Sequence, residues 1–386
     1  MRFHVPMLLL VALPVTAQEP AGAPKPRLEL AYSVRREAPP SARPTPVPVP
    51  VRDTGVAAVR ALIRNSFVRQ QTLYGIVLYG PSFALTIAHE PVPATAAYLV
   101  MAGGSFFAAA ELARDLRITD GMQTLATHAP WQGGAIGAAL QYAMTGKNDL
   151  AAGVFFGSML GTAGALTLGQ RLTSGAAMAS VFGADVAAGL AMGTMYAFDA
   201  NYGGTRTRAA VGAGAALAGM QLGAMYATYA RYNVTEGDVF ALTTSSLIGG
   251  AAAGSFVANG HPGHKTSTLA MLGGFVGGLV AGDRLLVRRI DHSPGEGALV
   301  GMAGVAGALM GGGVAVLVGS SARFNAATAA LGAAGAAGGV WMAERWMGTR
   351  PDAGRRISER LTVTPQALAL AAARVPGNHS LVRFAF

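Results

Sequence analysis

Ten apolar stretches follow one another between residues 70 and 343, and nine of them contain no Asp, Glu, Lys or Arg: 70–89, 91–110, 121–146, 150–170, 209–230, 239–264, 266–282, 297–322 and 324–343. The tenth, 172–198, is interrupted once, by Asp185. A helix rises about 1.5 Å per residue, so about 20 apolar residues cross the ~30 Å hydrocarbon core of a bilayer. A helix on the surface of a soluble domain needs a charged or polar face towards water, and these stretches offer almost none. Their succession therefore predicts a chain built for lipid. Composition agrees, with 52% hydrophobic and 12% charged residues and a mean hydropathy of +0.39. The pI near 10.3 does not indicate nucleic acid, because so few charged residues cannot track a phosphate backbone. The absence of cysteine excludes a disulfide scaffold and thiolate metal sites.

Transmembrane strands would read as segments of about 10 residues alternating apolar with polar, and 297–318 shows no such alternation. The predicted class is all-α: a polytopic membrane bundle of nine or ten apolar helices. Small residues recur every four positions at Gly153, Gly157, Gly161 and Ala165, at Gly273, Gly277 and Ala281, and at Gly297 and Gly301 followed by Gly304 and Ala308. In lipid, where water exclusion cannot drive helices together, such glycine-zipper faces let backbones approach closely. The marked glycines are therefore the expected helix-packing positions.

A hydroxyl-bearing turn with a nearby glycine recurs at Thr119-Asp120-Gly121, Thr173-Ser174-Gly175, Thr235-Glu236-Gly237 and Ser293-Pro294-Gly295. Each turn follows one apolar segment and opens the next. The hydroxyls of Thr119, Ser174, Thr235 and Ser293 are expected helix caps, accepting from otherwise unpaired backbone N–H groups. Acidic Asp120, Glu236, Asp238 and Glu296 suit the positive end of the helix dipole. The implied unit is a helical hairpin repeated about every 55–60 residues, a spacing typical of repeat architectures.

The domain organisation follows. Residues 1–17 read as a secretory signal, with Arg2 before a short apolar core and small residues ahead of Gln18. An extended, Pro-rich segment occupies 18–55 and carries one alternating stretch at 28–34, a candidate strand. The helical membrane domain covers 56–348, and a tail with short strands covers 349–386. The ending Val382, Phe384 and Phe386, alternating with Leu381, Arg383 and Ala385, resembles the closing strand of outer-membrane barrel proteins; pairing with 28–34 outside the membrane accounts for the same pattern. Topology holds a conflict. With ten crossings and an exported N-terminus, the capped turns face outwards, yet they carry most of the arginines, against the positive-inside rule. Either 70–89, with Pro81 near its middle, does not cross, or the destination is the outer membrane.

Chemistry is sparse. Asp185 lies mid-segment, where an ionised carboxylate costs ~2.5–3.5 kcal/mol on insertion scales, so it is expected to face protein or water. It is the candidate proton or ion site, with His128 as a possible companion. Two residues after His128, Pro130 lacks the N–H of a normal helical residue and should expose a carbonyl. Asp283-Arg284 and Glu344-Arg345 read as interfacial ion pairs. His89-Glu90-Pro91-Val92-Pro93 is not a zinc-binding HExxH helix, and no nucleophile elbow or dinucleotide loop occurs. No cofactor, metal or enzyme activity is expected. The sequence points to a structural or assembly role in the envelope, through contact with lipid and with a second copy or partner helices, and secondarily to a channel or transporter using Asp185.

Overall fold

The computed structural model describes residues 54–198, 204–258, 263–318, 326–349, 361–363 and 382–384. The expected signal at 1–17, the candidate strand at 28–34 and the Pro-rich segment up to residue 53 lie outside the described residues, while residues 54 and 55, expected to be extended, open α1. The first helical run comprises α1 (Thr54–Tyr74), a π-helical turn (Gly75–Tyr79) and α2 (Gly80–Ile87). It is followed by α3 (Pro91–Asp115), α4 (Asp120–Thr145), α5 (Ala151–Leu168), α6 (Ser174–Ala197) and α7 (Gly204–Tyr229). Then come α8 (Glu236–Ala258), α9 (His264–Gly282), α10 (Pro294–Val318) and α11 (Ala326–Thr349). The all-helical prediction is met.

Among the described residues, seven helical segments are long and apolar enough to cross a membrane: those of α3, α5, α6, α7, α8, α9 and α10. Large apolar side chains project outward along them, Leu160 at 72%, Phe256 at 79% and Leu317 at 87% exposure. Such a surface belongs against hydrocarbon, and the molecule is an integral membrane protein. α4 falls outside the seven because Gln123, Thr124, Thr127, His128 and Gln132 give it a polar face.

Each of α4, α6, α8 and α10 packs chiefly on the helix that follows it. Glycine explains how closely. A Cβ on Gly133 would overlap the Gly157 carbonyl, one on Gly137 that of Gly153, and one on Gly161 that of Ala129. As the number falls by four on α4 it rises by four on α5, so the helices run antiparallel in a fixed register. Gly183 meets Gly219 between α6 and α7, Gly249 meets Gly274 between α8 and α9, and Gly307 meets Gly335 between α10 and α11, each in the same way. The expected seam residues Gly153, Gly157 and Gly161 sit at this contact. Gly273 and Gly277 do not: nothing lies near either, and their neighbours Gly274 and Gly278 make the seam. Successive helix residues point 100° apart, and α9 has glycine on both candidate faces, so spacing alone left its register open. On α10, Gly301 and Gly304 face Thr244 of α8 and Gly297 packs on the backbone of Gly237, while Gly307 and Gly311 meet α11.

The turns also stack. Gly121 packs on the Leu172 carbonyl, Gly175 on that of Val234 and Gly237 on that of His292. At the other end of α4, Gly146 terminates the helix with φ of 69°, a backbone state open to glycine at little cost. The first helical run lies antiparallel to α3, with Gly75 against Ser105 and Gly80 against the Tyr98 ring. In its π turn Gly80 N–H donates to the Gly75 carbonyl, just before Pro81, which has no N–H to give. At the tail, β1 (Leu361–Val363) pairs antiparallel with β2 (Val382–Phe384), placing Leu361 opposite Phe384. The partner of 382–384 is thus the nearby segment 361–363, which closes a shorter loop than 28–34 would.

Candidate functional site

The four capped turns lie on one side of the molecule, at the starts of α4, α6, α8 and α10. Thr119 Oγ1 accepts from Met122 N–H and donates to the Gly169 carbonyl at 3.2 Å. Thr235 Oγ1 accepts from Asp238 N–H at 3.1 Å and donates to the His292 carbonyl. Ser293 Oγ accepts from Glu296 N–H, and Glu296 Oε2 accepts in return from Ser293 N–H at 2.8 Å, closing a capping box. In the second turn the cap is Thr173, whose Oγ1 accepts from Ala176 N–H, with Ser174 already the first helical residue. The hydroxyl that reaches the third helical N–H must sit outside the helix, and Thr173, with ψ of 162°, does.

Asp185 lies midway along α6, facing α4. Gln132 Nε2 donates to Asp185 Oδ1 at 2.9 Å and to the Val181 carbonyl at 2.9 Å. Gln132 therefore holds the carboxyl, and no hydrogen bond or ion pair joins His128 to Asp185 among the described residues. His128 lies one turn before Gln132 on α4, so both project towards similar territory without meeting through a bond. The Oε1 atom of Gln132 is buried without a partner among the described residues.

Below this pair, Pro130 has the predicted effect. The carbonyl of Ala126, which the missing N–H would have bonded, accepts instead from Gln71 Nε2 at 3.1 Å. The neighbouring Thr127 carbonyl accepts from the Tyr74 hydroxyl. Tyr79 donates to Gln71 Oε1 at 2.9 Å, and its hydroxyl lies 2.7 Å from Thr162 Oγ1. The first helical run thereby satisfies the polar groups that the proline break releases, as an apolar surrounding requires.

A second enclosed polar group on the capped side, His292, was not singled out by spacing. It lies between α9 and α10, 1% exposed, beside the wholly buried Asp238. Its Nδ1 lies 2.7 Å from Asp238 Oδ1 and its Nε2 lies 2.7 Å from Glu344 Oε1. Its backbone N–H donates to the same Asp238 oxygen at 3.0 Å. Burial alone would make the imidazole less basic, but its hydrogen bonds to Asp238 and Glu344 and their charges outweigh this, and its pKa is pushed up to about 9. An imidazolium so placed ties α8, α10 and α11 together. A signal existed: the residue before each cap is Ile118, Leu172, Val234 and then His292. Three turns put an aliphatic side chain where the fourth puts a base, and an acid, Asp238, stands ready in the first turn of α8.

The adjacent-residue ion pairs expected at the helix ends are not formed. Asp283 Oδ2 binds Arg288 Nη2 at 2.6 Å, and Asp283 Oδ1 accepts from Tyr226 at 2.8 Å and from Tyr232. Glu344 binds His292, while Arg345 lies over the Trp341 ring, 5.3 Å from its centroid. Neighbours in a helix point 100° apart, so Asp283-Arg284 and Glu344-Arg345 face different surroundings.

No protein-family model, characterised protein or solved structure matches this chain.

Proposed function

We propose that this is a non-enzymatic membrane protein of the cell envelope with a structural or assembly role, built from four repeated helical hairpins, α4–α5, α6–α7, α8–α9 and α10–α11. The observation that carries the reading is the division of labour among glycines. One set closes the seams within hairpins, and a second set, including Gly273 and Gly277 on α9, lies open on the surface. Four-residue spacing on an open face is what a second copy or a partner helix needs for close approach in lipid. The chain invests its polar groups in caps and inter-helix braces, as expected of a scaffold. The envelope destination rests on the secretory signal read from the sequence at 1–17.

The experiment is crosslinking in native membranes with Gly277→Leu. The variant should stay folded and lose its crosslinked oligomer or partner band. An unchanged band pattern removes assembly through α9.

A second reading, an ion or proton path, is favoured by one observation: a mid-helix carboxyl held by a glutamine whose own oxygen is buried and unpartnered. Labelled-ion flux into proteoliposomes of Asp185→Asn decides it. Unchanged flux counts against transport, and its loss with the fold intact counts for it.

A further inference from the structure

A cleft of about 570 Å³ opens between α1 and α3 on the side of the capped turns. Its polar lining includes Arg64, Arg69 and Arg114, and its apolar lining includes Val68, Phe106 and Ala110. Arg114 is engaged by Glu111 and, at 3.3 Å, by Asp115, which braces its guanidinium at the end of α3. Arg64 and Arg69 have no ion pair among the described residues, and both are exposed. The cleft is thus cationic on its α1 side and apolar beneath.

Depth decides what such a cleft meets. α3 is one of the helices long and apolar enough to cross a membrane, and Arg114 and Asp115 are its final residues. Phe106 lies eight residues earlier, about 12 Å deeper along the helix axis. A molecule filling the cleft therefore has its charged end at the level of the lipid headgroups and its remainder in the hydrocarbon. Guanidinium groups bind phosphate oxygens through paired N–H donors, and basic pockets between membrane helices hold anionic headgroups.

We infer that the α1–α3 cleft is a binding site for an anionic phospholipid, its phosphate held by Arg64 and Arg69 and an acyl chain lying along Val68, Phe106 and Ala110. The shared chemistry, a phosphate monoanion, also exists in soluble phosphates. The apolar floor is what assigns the site to the lipid.

The test is native mass spectrometry of the full chain, purified in a neutral detergent and supplied with phosphatidylglycerol and phosphatidylcholine in equal amounts. The wild-type protein should retain phosphatidylglycerol preferentially. Each arginine near a membrane surface accounts for about a 5-fold change in affinity, so Arg64→Gln/Arg69→Gln should weaken that retention at least ~10-fold. Arg284→Gln/Arg289→Gln removes the same charge from the same side away from the cleft and should retain the lipid. Helical circular dichroism of all three proteins should agree. Equal retention by the two double variants, or equal binding of the two lipids by the wild type, overturns the site. Glycerol phosphate that displaces the lipid at comparable concentration overturns the assignment to a lipid.

Discussion

The imidazole of His292 has no access to solvent and meets a carboxylate oxygen at each ring nitrogen, so its proton is part of the folded structure. Its pKa stands above the ordinary 6.5, at about 9. A group raised in this way contributes stability that is fully present below about pH 6.5 and is lost as pH rises through about 9. The window is worth roughly 3 kcal/mol. Unfolding of the purified protein in detergent, followed by circular dichroism, should show constant stability from pH 5 to 6 and a fall between pH 7 and 10. Glu344→Gln should lessen that fall, because the ring then loses one of its two anionic partners. A profile that is flat to pH 10 in the wild type contradicts the bonded imidazolium. The network was hidden from the sequence because 54 residues separate Asp238 from His292 and 52 separate His292 from Glu344. Only the break in the Ile118, Leu172, Val234 series marked it. Asp185 was legible as an anomaly, but its partner Gln132 was not, since a glutamine in an apolar helix announces no direction.

At the scale of the helix, the four-residue glycine spacing was readable and its partner face was not. On α5 a single face carries Gly153, Gly157 and Gly161, so spacing fixed the seam. On α9 the Gly-Gly pairs at 273–274 and 277–278 left two faces equal until α8 arrived beside one of them. The two faces predict opposite outcomes for one substitution. Gly157→Leu drives a side chain into the backbone of Gly133 and should cost about 2 kcal/mol or more, since rigid helix backbone cannot yield as a side chain does. Gly277→Leu meets open space and should change stability by less than about 0.5 kcal/mol. Thermal or SDS unfolding of the two variants checks the pair, and equal destabilisation would show that the seams are not where the backbone contacts place them. Caps were legible to within one residue, with Thr173 in place of Ser174, because the repeated hydroxyl-glycine turn locates the helix start but two adjacent hydroxyls compete for the same N–H.

For the molecule as a whole, the charge-free stretches announced lipid, and the exposed apolar surface along the helices bears this out. The segment at 70–89 divided differently from its charge boundaries. Its helix begins at Thr54, passes a π turn and runs beside α3 as far as Ile87, because Gly75 and Gly80 admit α3 closely on one side. That antiparallel course returns α3 to the capped side, where α4 begins. Whether hydrocarbon surrounds the described helices can be measured directly, because the chain contains no cysteine. Single cysteines at Phe107, Leu160 and Leu309, each 72% exposed on the protein surface, and at Asp149 and Arg289 in connections between helices, would be treated in sealed membranes and in permeabilised ones with a membrane-impermeant maleimide. Asp149→Cys and Arg289→Cys should label, from opposite sides, while Phe107→Cys, Leu160→Cys and Leu309→Cys should react only after solubilisation in SDS. Labelling of those three positions in intact membranes at the rate of the connections would show that hydrocarbon does not surround them.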